Sequence, residues 1–283
     1  MTMERQPRRY RGLRVLHVLR GERLTPRLHR LVLGGPEMEG IKDGPNLKLL
    51  IPPEGLAVPQ WPVEGPDGRA LWPAAAERPV VRTYSVRRLD RARGELTVDF
   101  VLHGAGGVAS TFAARAQPGD AVGIGGPGGR ALPLADFHLM AGDHSGLPSI
   151  AAILECLPAE AKGAAFIELP DAGEELDLAR PAGVRLVYLH RNGASAGTTT
   201  LLQDAVTAMD WPDGQRVAAW IAAESTAARA LRAELKEVRR LPPRDLVAVG
   251  YWKRGFSETD YGAAHDHDRD ADYHRAAEQE EAA

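Results

Sequence analysis

The hydrophobic rhythm of the chain changes once, across the glycine-rich run Gly125-Gly126-Pro127-Gly128-Gly129-Arg130. Before it lie short runs that alternate or are β-branched: Arg14 to Arg20, His29 to Leu33, Asn46 to Ile51, Val80 to Val86, Glu95 to Leu102 and Ala121 to Ile124. Alternation at period two is the mark of a strand with one buried face. Six such runs, divided by Gly and Pro with few helical stretches between them, predict an antiparallel barrel or sandwich. The proline-rich stretch Pro52 to Pro79, which holds Trp61 and Trp72, reads as a long surface excursion between strands.

After the glycine run the pattern becomes strand then helix. Phe137 to Gly142, Ala164 to Leu169, Arg185 to His190, Arg216 to Ala223 and Leu246 to Gly250 are nearly all apolar. Pro148 to Leu157, Thr198 to Met209 and Thr226 to Val238 carry apolar residues at helical spacing. Strands with near-continuous apolar content between helices predict a parallel sheet covered on both faces. The expected plan is therefore an all-β domain over 9–132, a Rossmann-like α/β domain over 133–260 and a charged, aliphatic-poor tail over 261–283 that is disordered.

Composition excludes several classes. Net charge is −3, so the overall balance points to no nucleic-acid partner. No run approaches the roughly 18 apolar residues of a membrane span, and the basic N-terminus has no hydrophobic stretch behind it. The cytoplasm is the expected location and a monomer the expected state. The single cysteine, Cys156, forms no internal disulfide and is expected on the buried face of a helix.

The stretch richest in chemistry is Arg82-Thr83-Tyr84-Ser85. On a strand, Arg82 and Tyr84 project to one face. A flavin needs a charge for its pyrophosphate, an aromatic plane for its ring and a small polar group near its reactive nitrogen. Two other features carry less. The tail motif His265-Asp266-His267-Asp268, with His274, has metal-ligand residue types but lies in the charged tail. Ser195 near His190 lacks any nucleophile-elbow context.

In chain order come Arg82-Thr83-Tyr84-Ser85, then Asp99-Phe100-Val101-Leu102-His103-Gly104, then Gly107-Val108-Ala109-Ser110, then Pro118-Gly119-Asp120 and the glycine run. Together they resemble the siderophore-interacting protein family, a branch of the ferredoxin–NADP reductase-like flavoproteins. Ala141-Gly142-Asp143-His144-Ser145-Gly146-Leu147-Pro148, Ala222-Ala223-Glu224 and Gly250-Tyr251-Trp252-Lys253-Arg254-Gly255 extend the resemblance to about Phe256. The resemblance implies a six-stranded FAD-binding barrel followed by an NAD(P)H-binding-like domain. It implies cofactor contacts at Arg82, Thr83, Tyr84, Ser85, Asp99, Phe100, Val101, His103, Ala109 and Ser110. It implies NAD(P)H contacts at Gly142, Asp143, Ser145 and Glu224, although His144 stands where the family has an acid and Ser145 where it has Thr. A basic site at Lys48, Lys253 and Arg254 would receive an anionic ferric siderophore. The implied reaction is reduction of the siderophore iron, with electrons from NAD(P)H or a ferredoxin and no catalytic acid, base or protein-bound metal. The rivals are a general flavin or ferredoxin reductase of the same fold and a siderophore-binding protein without turnover.

Overall fold

The computed structural model describes residue 10, residues 12–103 and residues 107–282. The chain divides into two compact units at Gly128/Gly129, within the glycine run. Arg23–His29 and Asp99–Val101 group with the second unit.

The first unit is built on strands β1 (Arg14–Thr25), β2 (Leu28–Gly34), β3 (Asn46–Ile51), β4 (Val63–Glu64), β5 (Ala70–Leu71), β6 (Val80–Ser85), β7 (Arg88–Asp90), β8 (Glu95–Val101) and β9 (Ala121–Gly128), with one helix, α1 (Val108–Arg115). Seven strands form one sheet in the order β6-β3-β9-β1-β2-β8-β7. The expectation of six strands is corrected by β7, three residues that pair antiparallel with β8. β6 and β7 end the order, so the sheet is barrel-like without closing. Its buried side carries Leu16, Leu47, Leu49, Val122 and Ile124, the alternate residues of β1, β3 and β9. The excursion after β3 forms the separate hairpin β4–β5.

The second unit carries β10 (Phe137–Asp143), α2 (Leu147–Cys156), β11 (Lys162–Leu169), β12 (Gly183–His190), α3 (Leu201–Thr207), β13 (Val217–Glu224), α4 (Ser225–Ala233) and β14 (Leu246–Trp252). The five strands are parallel, in the order β12-β11-β10-β13-β14. Apolar clusters lie on both faces. One gathers Leu139, Phe166, Val206 and Leu231; the other gathers Met140, Ile150, Leu154 and Trp220. This two-sided burial explains why the strands read as continuous apolar runs.

Two expectations are overturned in this unit. Cys156 is exposed. The buried stripe of α2 runs Leu147, Ile150, Ala151 and Leu154, and Cys156 falls two residues beyond it, about 200° round the helix. The tail is folded: α5 (Glu258–His265) and α6 (Ala271–Ala282) follow β14. Tyr261 is fully buried, and its hydroxyl donates to Asp268 at 2.6 Å. Ser225 Oγ donates to the same carboxylate at 2.5 Å. Lys236 pairs with Asp270 at 2.9 Å and with Asp272, and the buried Arg130 pairs with Glu280 at 2.9 Å. Aromatic anchors and matched charges hold a segment whose composition lacks aliphatics.

Candidate functional site

The motif Arg82-Thr83-Tyr84-Ser85 makes up most of the edge strand β6. Its register with β3 sets Arg82 opposite Leu49, Thr83 opposite Lys48 and Tyr84 opposite Leu47. Directly opposed residues share a face. Arg82 and Tyr84 therefore share one side of the sheet, and Thr83 and Lys48 the other. Arg82 Nη1 donates to the Val81 carbonyl at 2.8 Å, and the Lys48 ammonium donates to Thr83 Oγ1. Ser85 is buried beside them. The strand thus presents the guanidinium and the aromatic plane together, and sets the β-carbon of Lys48 on the opposite face.

β8 supplies Asp99 and Val101 on one face and Phe100 on the other. Phe100 is 1% exposed. Its ring is packed in the core. Gly104–Gly106 lie outside the described residues. Beyond them Gly107 is the N-cap residue of α1, and among the described residues no side chain caps that N-terminus. An N-terminus of this kind holds backbone N–H groups toward an anion. A β-carbon at Gly107 would lie 2.7 Å from Ser110 Oγ and 2.9 Å from His103 Cε1, so a larger residue here would have to push both side chains aside. Ser110 Oγ donates to the Gly107 carbonyl at 3.0 Å, which leaves backbone amides as the local anion donors. Ala109 is buried and His103 exposed at the cradle rim. α1 packs beside β3, the neighbour of β6. A positive side chain, an aromatic plane and an uncapped amide cradle fit a flavin dinucleotide, whose pyrophosphate and ring need those groups.

In the second unit the strand order reverses between β10 and β13, the point where open parallel sheets receive ligands at their carboxyl ends. Asp143 ends β10 there and is buried. Its Oδ1 accepts from Ser145 N at 2.8 Å and Ser145 Oγ at 2.6 Å. Its Oδ2 accepts from Glu224 N at 2.8 Å and Trp252 Nε1 at 2.7 Å. Glu224, at the end of β13, accepts from Thr226 N at the start of α4 and from Arg254 N. Gly142, Asp143, Ser145 and Glu224 are thus brought together. The two carboxylates hold neighbouring backbone rather than facing outward.

His144 is buried, and burial lowers its pKa to about 4. Its Nε2 stands 3.6 Å from Glu174, too far for a hydrogen bond. Glu174 accepts instead from Thr25 and from Arg27 N. The histidine that replaces the family's acid is therefore a neutral interior group. Lys253 Nζ lies 3.4 Å from Ser225 Oγ and over the Phe256 ring, and Arg254 is exposed. Sequence reasoning missed Ser225: a single serine signals nothing until the fold places it at the start of α4.

The sequence model described as the Siderophore-interacting FAD-binding domain matches residues 17–131, and that described as Siderophore-interacting protein matches 135–255. The chain belongs to the siderophore-interacting protein family. Ferric vibriobactin reductase ViuB of Vibrio cholerae is 33% identical over 254 residues, covering 88% of this chain and 92% of that protein. The NADPH-dependent ferric-chelate reductase of Escherichia coli is 32% identical, covering 88% and 97%. The crystal structure of a siderophore utilization protein from T. fusca superposes with a TM-score of 0.79 at 38% identity, covering 90% of this chain and 98% of that one. The FAD-binding domain of the siderophore-interacting family is the unit that carries β6, β8 and α1.

Proposed function

We propose that this chain is a cytoplasmic, FAD-dependent reductase of ferric siderophores that draws electrons from NAD(P)H or a ferredoxin and releases Fe(II). The observation that carries the reading is near full-length similarity to a ferric vibriobactin reductase and an NADPH-dependent ferric-chelate reductase. Among the described residues no helix is long and apolar enough to cross a membrane, which suits a cytoplasmic site of action.

Arg82 neutralises the cofactor pyrophosphate, the α1 amides around Gly107 hold its oxygens, and Tyr84 packs on its ring. Ser85 offers a hydroxyl near the reactive nitrogen, and Asp99, Val101 and His103 border the cofactor. Bound FAD supplies single electrons to ferric iron. Catecholate and hydroxamate oxygens hold Fe(III) far more tightly than Fe(II), so reduction alone loosens the chelate. Lys253 and Arg254 draw in the anionic chelate. Lys48 takes part only by leaving Thr83. The direct test is purification followed by absorbance: yellow protein, bleached by NADPH or by a reduced ferredoxin and re-oxidised by a ferric siderophore, supports the reading. Colourless protein that takes up no FAD contradicts it and leaves capture without turnover.

A further inference from the structure

Asp143 has no acceptor position to spare. Its four donors come from three separate segments: the turn after β10, the end of β13 and the end of β14. Three of the four are N–H groups that can only donate. Asp143 is 6% exposed, so its bonds are largely shielded from water. The indole of Trp252, held at 2.7 Å, reaches from β14 past the end of β13 to the end of β10. Beyond it the loop after β12 comes so close that a β-carbon at Gly197 would lie 3.1 Å from Trp252 Cη2 and 2.9 Å from Glu224 Cγ. The half-buried indole therefore walls the crevice where the strand order reverses.

We infer that Asp143 is a positioning residue acting through Trp252: it fixes the indole as a preformed wall of the electron-donor crevice and does not itself touch the nucleotide. This rests on the reading that a pyridine nucleotide enters at the carboxyl edge of this sheet. A wall held in place before binding spares the ligand the entropy of ordering it. Loosening the wall then weakens nucleotide binding and leaves the later electron transfer nearly unchanged.

The test uses the full-length, FAD-loaded protein with two variants, Asp143→Ala and Trp252→Phe, and their combination. Trp252→Phe keeps an aromatic ring at the position, removes the N–H donor and shortens the wall. A heteronuclear N–H spectrum shows one indole signal for each of five tryptophans, and Trp252→Phe identifies its own by removing it. Asp143→Ala should move that signal alone to the position of an unbonded indole. With NADPH as the probe, each single variant should raise KM about tenfold with kcat changed less than twofold, and the double variant should be no worse than either, as for two residues on one path. FAD content should not change. An unmoved Trp252 signal in Asp143→Ala, additive losses, or an unchanged KM in Trp252→Phe would overturn the inference. Should Asp143→Ala fail to fold, the Trp252→Phe kinetics decide. Should NADPH fail to bleach the wild-type flavin, the donor reading fails separately, and the indole signal still decides the positioning claim.

Discussion

At the scale of single residues, burial decides what a titratable group can do. The lowered pKa of His144, about 4 through burial, keeps the imidazole neutral in the fold, whereas the unfolded chain protonates it below about 6.5. Its contribution to stability is therefore complete above pH 6.5 and is lost as pH falls toward 4. Between pH 7 and 5 that loss is about 2 kcal/mol. Chemical denaturation at both pH values should show it for the wild type and show it absent in His144→Gln; equal pH dependence in the two would refute the assignment. Arg82 should behave differently, because its partner is a ligand. Arg82→Ala should lower FAD affinity by roughly 1.5–3 kcal/mol, the worth of a charge-assisted contact, and an FAD titration with unchanged affinity would remove it from the site. Lys253→Ala should raise KM for an anionic ferric chelate by a few-fold, a partly exposed surface charge being worth up to about 1 kcal/mol. That loss should shrink as salt screens the charge, and Lys48→Ala should do less, since its ammonium is engaged with Thr83. An equal loss with a neutral chelate would show that Lys253 acts on the fold instead. The site was legible in the sequence as residue types in order, and less so as roles. A motif keeps Asp143 whether it touches a nucleotide or braces Trp252, so only the hydrogen bonds separate the two.

At the scale of elements, period-two and period-3.6 patterns disclosed most strands and helices because burial imposes them directly. The α5–α6 segment was not legible for the same reason: it has no aliphatic stripe. It is fastened by Tyr261, by Asp268 under Ser225 and Tyr261, and by Lys236 between Asp270 and Asp272. The segment also carries Asp266, His267 and Asp268 in succession in the left-handed region, φ 48, 55 and 54, at a cost of roughly 1–2 kcal/mol each. The bonds to Asp268 help offset that cost. Tyr261→Ala should therefore destabilise the protein by about 3–5 kcal/mol, as an emptied aromatic core site does. Removing the partly exposed Asp272 carboxylate should cost less than about 1 kcal/mol. Urea unfolding measures both, and an unchanged midpoint for Tyr261→Ala would mean that the segment is not docked.

At the scale of the whole molecule, the change of rhythm at the glycine run predicted an antiparallel β unit followed by a parallel α/β unit, and that is the architecture observed. Strand count was less legible than class, because β7 is too short to carry a periodic signal. The central claim is that this assembly exists to carry electrons from FAD to siderophore iron. Its most direct test starts from FAD-loaded protein reduced chemically under anaerobic conditions, so that no assumption about the natural donor enters. The reduced protein is mixed with a ferric tris-catecholate chelate and a colorimetric Fe(II) trap. Reduced FAD holds two electrons and each Fe(III) takes one, so the account predicts roughly two Fe(II) trapped per flavin as the yellow absorbance returns. Flavin that stays reduced, with no Fe(II) above a free-FAD control, would contradict it.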